Sequence, residues 1–146
     1  MALINRYFAD YESYHRTKGN KVCHIWGISI IVISALGLLN NIVLFDWGFP
    51  VPASAALVLW LLGNIFYLTL HAKLGLTLMV STAAAYFLGT ALPTPVLWSL
   101  FVAGWVIQFI GHYKYEKKSP AFYKNLIHLM IGPAYIQNYL LKIVRK

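Results

Sequence analysis

The stretch IWGISIIVISALGLLNNIVLF, residues 25–45, decides the fold class, because it contains no charged side chain over its whole length. A helix needs about 20 mainly apolar residues to cross a hydrocarbon core of about 30 Å, and this stretch is long enough. Three further apolar stretches follow, at about residues 53–70, 72–91 and 95–112. We therefore predict an all-α integral membrane four-helix bundle, with residues 1–146 forming a single membrane domain.

The composition of the whole chain agrees with a membrane protein. Of its 146 residues, 60% are hydrophobic and only 11% are charged, and the mean hydropathy is +0.64. Ordinary soluble domains are about 45–50% apolar and about 25% charged. A soluble domain of this length could not bury so much apolar surface, and disordered chains are poor in hydrophobic residues. Composition therefore excludes both of these classes.

Basic side chains are confined to three parts of the chain: the segment before the first apolar stretch, the turn between the second and third, and the tail after the fourth. They are Arg6, Arg16, Lys18, Lys21, Lys73, Lys114, Lys117, Lys118, Lys124, Lys142, Arg145 and Lys146. By the positive-inside rule, we expect both termini and the turn at His71 to face the cytoplasm. The same bases suit anionic headgroups, so membrane lipids are expected partners and nucleic acid is not.

Both ends of the chain are expected to lie at the membrane surface. The first residues predict an amphipathic helix. The tail, residues 120–146, is apolar but interrupted by Gly132-Pro133, which predicts two interfacial helices, Ala121–Ile131 and Ala134–Val144. A fifth span is the alternative for this tail, and the charge of Lys124 argues against it.

Four histidines fall at the ends of the predicted spans on one side of the membrane. His15 and His24 flank the start of the first span, His71 lies in the turn between the second and third, and His112 ends the fourth. A single interfacial histidine is usually a hydrogen-bonding residue, but neutral imidazole is also a common ligand of iron, zinc, copper and nickel. Four on one face favour a metal site.

The spacing of these residues adds detail. His15 and His24 are nine residues apart, so they face opposite sides of a continuous helix and share a metal only if the chain bends between them. We expect that bend at Gly19-Asn20. Gln108, His112 and Glu116 recur every four residues, which predicts a polar row along one helix face.

Other kinds of catalytic site find no support in the sequence. Repeated HxxH or HxxxH motifs, a glycine-rich phosphate loop, a GxSxG motif and a cysteine-rich zinc pattern are all absent. The residues alone leave three readings open: an oxygen-using metalloenzyme, a zinc-type hydrolase, and a metal- or lipid-binding scaffold without catalytic activity.

Two motifs resemble a known family. Tyr14-His15, Asn20, His24 and Gly27, together with Gln108-Phe109-Ile110-Gly111-His112, Glu116 and Pro120-Ala121, resemble small four-span membrane proteins once classed as a domain of unknown function. The fungal member of that family acts in phytosphingosine breakdown. It is an Fe(II)-dependent dioxygenase that uses O2 to convert a 2-hydroxy fatty acid to the acid one carbon shorter. The resemblance covers essentially the whole chain and implies this α-oxidation here.

The resemblance also implies roles for individual residues. His15, His24 and His112 match the family's recurring histidines and become the expected Fe(2+) ligands, while Glu116 matches its acid, as a base or as a hydrogen-bond acceptor for a ligand imidazole. At the position of His71, relatives carry aspartate, so a ligating or polar role is expected. His128 matches no family position and is expected to be an interfacial bystander.

Overall fold

A computed structural model describes residues 3–49, 51 and 53–144. Within these residues the chain forms six α-helices, a two-stranded antiparallel sheet and two short irregular helical turns. The helices are α1 (Leu3–Ser13), α2 (Lys18–Asn40), α3 (Ala55–Leu70), α4 (Ala72–Thr90), α5 (Thr94–Ile110) and α6 (Ile127–Leu141). The strands are β1 (Val43–Phe45) and β2 (Ala53–Ser54), and the turns are a π-helical turn (Gly111–Glu116) and a 3-10 turn (Ala121–Tyr123). The predicted all-α membrane-helical bundle is confirmed, with one small sheet added. The predicted cytoplasmic bases Arg145 and Lys146 lie outside the described residues.

Three helical segments are long and apolar enough to cross a membrane. They are Lys18–Asn40, Ala72–Thr90 and Thr94–Glu116, the last formed by α5 and the π-helical turn. The second predicted span is helical over Ala55–Leu70, which is 16 residues or about 24 Å long. It is therefore shorter than a hydrocarbon core of about 30 Å.

The helix that contains the first predicted span has other bounds than residues 25–45. Helix α2 begins earlier, because the Thr17 hydroxyl caps it by accepting a hydrogen bond from the Asn20 amide. It also ends earlier, at Asn40, and the apolar residues that follow form β1. That strand pairs with β2 in an antiparallel hairpin, so the last residues of the predicted span leave the helix.

The end of α2 is joined to three other helices by side-chain hydrogen bonds. The Oδ1 atom of Asn40 accepts from the Ser54 hydroxyl at 3.0 Å and from the Tyr86 hydroxyl at 2.6 Å. Asn41 Nδ2 donates to Thr94 Oγ1 at 3.3 Å. The starts of α3 and α5 and the end of α4 therefore meet the end of α2. The opposite end, where α2 and α4 start and α3 and α5 finish, is called the histidine end below.

The C-terminal tail differs from the prediction of two helices broken at Gly132-Pro133. Helix α6 runs through that dipeptide without interruption. A Cβ atom on Gly132 would lie 2.8 Å from the Cδ1 atom of Ile28, so α6 approaches α2 closely at this residue. Helix α6 packs with α1, α3 and α4 in a buried cluster that includes Phe8, Tyr67 and Ile131. Packing against the bundle thus stabilises a helix that the dipeptide alone would interrupt.

Candidate metal centre

Three of the predicted histidines meet at the histidine end of the bundle. His15 lies between α1 and α2, His24 lies in α2, and His112 lies in the π-helical turn after α5. All three are buried, and one ring nitrogen from each lies within 4.8 Å of the others. Among the described residues this is the one group of three histidine, cysteine or acidic side chains close enough to hold a metal ion.

A bend in the chain brings His15 and His24 together, but it is not at the predicted place. Gly19-Asn20 lies inside α2, and the bend occupies residues 14–17 instead. The Thr17 cap sets this boundary, because it starts a new helix immediately after the bend. The predicted bend between His15 and His24 is confirmed, but its predicted position at Gly19-Asn20 was wrong.

The rings of His15 and His24 are oriented by the same kind of hydrogen bond. The Nδ1 atom of His15 lies 2.7 Å from the Tyr11 carbonyl oxygen, and Nδ1 of His24 lies 2.9 Å from the Asn20 carbonyl oxygen. A carbonyl oxygen only accepts, so we assign the hydrogen of each neutral ring to Nδ1. Both Nε2 atoms then carry lone pairs, yet they lie 3.0 Å apart. Two lone pairs at this distance repel each other unless a cation lies near both.

His112 completes the group with an unpaired nitrogen. Its ring centre lies 4.9 Å from that of His15 and 4.8 Å from that of His24. Its Nδ1 atom is buried and has no hydrogen-bond partner among the described residues. A buried polar atom without a partner is costly. These three rings therefore fit a transition metal. Metal-bound histidines commonly donate the N–H of their other ring nitrogen to a carbonyl group, as His15 and His24 do here.

Burial keeps His15 in the form that binds metals. Its pKa is lowered to about 4, chiefly because the low-polarity surroundings disfavour the charged imidazolium. At neutral pH the ring is therefore neutral. The Tyr11 ring stacks against it with centres 3.9 Å apart and planes 9° apart, which fixes its orientation. His15 is thus ready to donate a lone pair.

Glu116 is hydrogen-bonded to the bend and not to the imidazole of His112. Its carboxylate accepts from the backbone amides of Arg16 and Thr17 at 3.0–3.1 Å, from the Thr17 hydroxyl at 3.0 Å and from Asn20 Nδ2 at 3.2 Å. The predicted row of Gln108, His112 and Glu116 is interrupted because the helix changes from α to π at Gly111. Glu116 therefore joins the end of α5 to the segment that carries His15.

The structure does not bring His71 into this group. His71 ends α3 and begins α4, and its Nδ1 atom accepts a hydrogen bond from the Leu74 amide at 3.3 Å. It is a helix-capping residue at the same end of the bundle. The three-histidine group is complete without it.

His128 lines the same cavity as the three histidines, although it was expected to be an interfacial bystander. Its Nε2 atom lies 3.0 Å from Asp10 Oδ2, while its buried Nδ1 atom has no partner within the described part of the chain. The Tyr11 ring lies between the rings of His15 and His128. Asp10 and His128 are 118 residues apart, so no local pattern could have signalled this contact.

A mainly apolar cavity of about 320 Å³ opens beneath the histidines. Its walls come from α1, the bend after it, α2, α3, α5, the π-helical turn, the 3-10 turn and α6. They include all three histidines together with Ile28, Ile31, Ala35, Leu59, Trp105, Gln108, Phe122, His128, Leu129 and Pro133. A cavity of this size, apolar with a few polar groups at one end, is typical of small-molecule sites. The arrangement suits a ligand with a polar head and an apolar tail.

Comparison with known proteins agrees with the motifs. The family model described as 2-hydroxy-palmitic acid dioxygenase Mpo1-like matches residues 1–144. The 2-hydroxy-palmitic acid dioxygenase MPO1 of Saccharomyces cerevisiae is 29% identical over 131 residues, which covers 86% of this chain and 72% of that protein. No solved structure matches the chain significantly. With a family match over nearly its whole length and a buried three-histidine group at one end of a membrane-helical bundle, the chain belongs to the Mpo1-like family.

Proposed function

We propose that this protein is an Fe(II)-dependent dioxygenase that converts 2-hydroxy long-chain fatty acids to the acids one carbon shorter. The observation that carries the proposal is the buried group of His15, His24 and His112 in a chain of the Mpo1-like family. In the proposed reaction the bond between C1 and C2 breaks and one O2 is the oxidant. The balanced products are the shortened acid, carbon dioxide and water.

His15, His24 and His112 would hold the iron, and their geometry supports this assignment. The two facing Nε2 atoms lie 3.0 Å apart, and one ring nitrogen of His112 lies within 4.8 Å of a ring nitrogen of each of the other two histidines, so a cation could bind all three. Three imidazoles leave coordination positions open, as a site that must accept other ligands requires. When bound, the ion would supply Lewis-acid and redox chemistry. The surrounding apolar cavity would bind the acyl chain and exclude water.

Glu116 was expected to be a base or a hydrogen-bond acceptor for a ligand imidazole. Its contacts favour a third role, in which it positions the site. The carboxylate is engaged by the backbone of Arg16 and Thr17 and by the Asn20 side chain. It therefore stabilises the bend on which His15 and His24 depend. We propose that it acts on the reaction through these ligands and not by contact with the substrate.

Purification in detergent followed by anaerobic reconstitution with Fe(II) tests the proposed function. We expect that 2-hydroxypalmitic acid and air then give pentadecanoic acid with consumption of one O2 for each acid formed. The His24→Ala variant should lose both bound iron and product. Binding of the substrate without O2 consumption or shortened acid would refute the proposal.

The same experiment distinguishes the alternatives. A metal- or lipid-binding scaffold would retain its lipid contacts and make no product with any metal. A zinc-type hydrolase would act with Zn(II) and consume no O2. Only the dioxygenase requires Fe(II) and O2 together.

We also propose a sidedness for the protein, as a single membrane domain over residues 1–146. Its termini and its metal centre would lie on the cytoplasmic side, because the basic residues cluster at the histidine end and the β1–β2 hairpin carries no lysine or arginine. The exposed apolar side chains of the helices, such as Val80 and Val102, would contact lipid.

A further inference from the structure

The cavity beneath the histidines adjoins a second one of about 160 Å³. The two have six lining residues in common, and the room that they offer together is called the space below. The shared residues are Ile31, Val32, Ala35, Leu59, Leu129 and Pro133. Neither volume alone describes the room that a long ligand would have.

This space follows one face of α2 into the bundle. His24, Ile28, Ile31 and Ala35 line it at intervals of four, three and four residues, which is the spacing of a single helix face. At about 1.5 Å per residue, the eleven residues from His24 to Ala35 correspond to about 16 Å. The space therefore extends from the histidines through roughly half of a hydrocarbon core of about 30 Å.

A polar group of side chains, Trp60, Asn64 and Thr82, lines the second cavity. Trp60 Nε1 donates to Thr82 Oγ1 at 2.9 Å, and Asn64 Nδ2 donates to the Trp60 carbonyl oxygen at 2.7 Å. Asn64 Oδ1 is buried and has no partner in the part of the chain that the structure describes. An apolar chain end gains nothing by contact with an unpaired amide oxygen. This polar group is therefore an unfavourable neighbour for the end of an acyl chain.

Gly63 lines the second cavity but not the first. A Cβ atom at Gly63 would meet only the terminal methyl of Met130, at 3.8 Å, which is ordinary contact. A larger side chain at this position would therefore extend into the space without striking backbone. It would also suit a helix better than glycine does.

We propose that the acyl chain passes from the first cavity into the second, where Gly63 and the polar group of Trp60, Asn64 and Thr82 set the length of acyl chain that the protein accepts. This inference rests on the proposed function, because it takes the occupant to be a 2-hydroxy fatty acid with its head at the histidines. Gly63 leaves the second cavity open to long chains. Short chains occupy the first cavity alone.

Binding to the metal-free protein tests this without depending on catalysis. Competition with a fluorescent fatty acid measures binding to the detergent-solubilised protein. The competitors are 2-hydroxypalmitic acid and its shorter and longer saturated homologues, and the proteins compared are the wild type, Gly63→Ala, Gly63→Leu and Ala103→Leu. Ala103 is exposed on α5 and lines neither cavity, so its variant is the matched control. We expect Gly63→Leu to weaken binding of the longer acids by roughly tenfold or more, because several methylene groups lose their burial. Gly63→Ala should lie between it and the wild type, and the shortest acids should bind unchanged.

Equal weakening for every chain length, or unchanged binding of the long acids to Gly63→Leu, would overturn the assignment. Turnover by the Fe(II)-loaded proteins is measured in parallel. Length-selective binding that responds to Gly63 but gives no shortened acid would refute the proposed reaction and support the cavity assignment. Formation of shortened acid with the same dependence on chain length in wild type and Gly63→Leu would support the proposed reaction and refute the cavity assignment.

Discussion

The Nε2 atoms of His15 and His24 lie 3.0 Å apart, and each ring is fixed from behind by the carbonyl oxygen of the residue four positions earlier. The two rings cannot rotate away from each other without breaking those hydrogen bonds. A cation between them removes the repulsion of their lone pairs. Metal binding should therefore stabilise the folded protein, in addition to any catalytic role.

Metal binding is expected to raise the midpoint of thermal unfolding. A ligand at 100 times its dissociation constant stabilises the folded state by about 2.7 kcal/mol. Adding Fe(II) under anaerobic conditions, or Zn(II), to metal-free wild type should raise the midpoint measured by differential scanning fluorimetry in detergent. The His24→Ala protein should show no such rise. An equal rise in both proteins would mean that the metal binds elsewhere.

Replacement of His71 should affect stability but not metal content. Its Nδ1 atom caps α4, and loss of a cap costs about 1 kcal/mol. His71→Ala should therefore unfold at a lower temperature with its bound metal unchanged, as measured by elemental analysis. His71→Asn keeps a capping oxygen and should recover the stability. Loss of metal from His71→Ala would instead identify this residue as a metal ligand.

Glu116→Gln distinguishes a positioning role from a catalytic one. The uncharged amide places an NH2 group beside backbone amides that need an acceptor, and a hydrogen bond to a charged group contributes about 1.5–3 kcal/mol. We expect metal affinity to fall by roughly tenfold or more, with faster amide hydrogen exchange at residues 14–17. Asp46→Asn, which changes an acid far from the centre, is the control.

The opposite result for Glu116→Gln would be equally clear. Full metal affinity and unchanged exchange at the bend, combined with loss of turnover, would assign Glu116 to the reaction itself. The two readouts separate the two roles because only positioning acts through His15 and His24.

The proposed sidedness is tested by labelling single cysteines. In a Cys23→Ala background, which removes the one native thiol, Asp46→Cys should react with a membrane-impermeant maleimide applied to intact cells. Lys73→Cys should react only after permeabilisation. The reverse pattern would place the histidine end outside the cell, where the proposed orientation does not allow it.

The sequence predicted those parts of the fold that depend on local hydrophobicity. The apolar stretches became helices α2 to α5, and the set of histidines at their ends included the three that meet. The predicted position of the bend was wrong because the bend at residues 14–17 is stabilised by hydrogen bonds to Glu116, about 100 residues later in the chain. The continuity of α6 was missed because it depends on packing against the other helices, while Gly132-Pro133 by itself resembles a helix break.

His128 was excluded for a similar reason. It reaches the site through Asp10 and Tyr11, both on α1, and this packing appears only when the first and last helices meet. Contacts between residues this far apart in the chain leave no periodic pattern in the sequence. His71 also lies at a helix end, where its Nδ1 atom caps α4, and it stands outside the group of three histidines.

The distribution of the three histidines along the chain has a consequence for biosynthesis. His15 and His24 leave the ribosome early, but His112 follows 88 residues later (112 − 24) and reaches them only after α5 has paired with α2. A nascent chain lacking its last membrane helix therefore has no three-imidazole site to load. Metal binding at this group would thus report that insertion and helix pairing are complete.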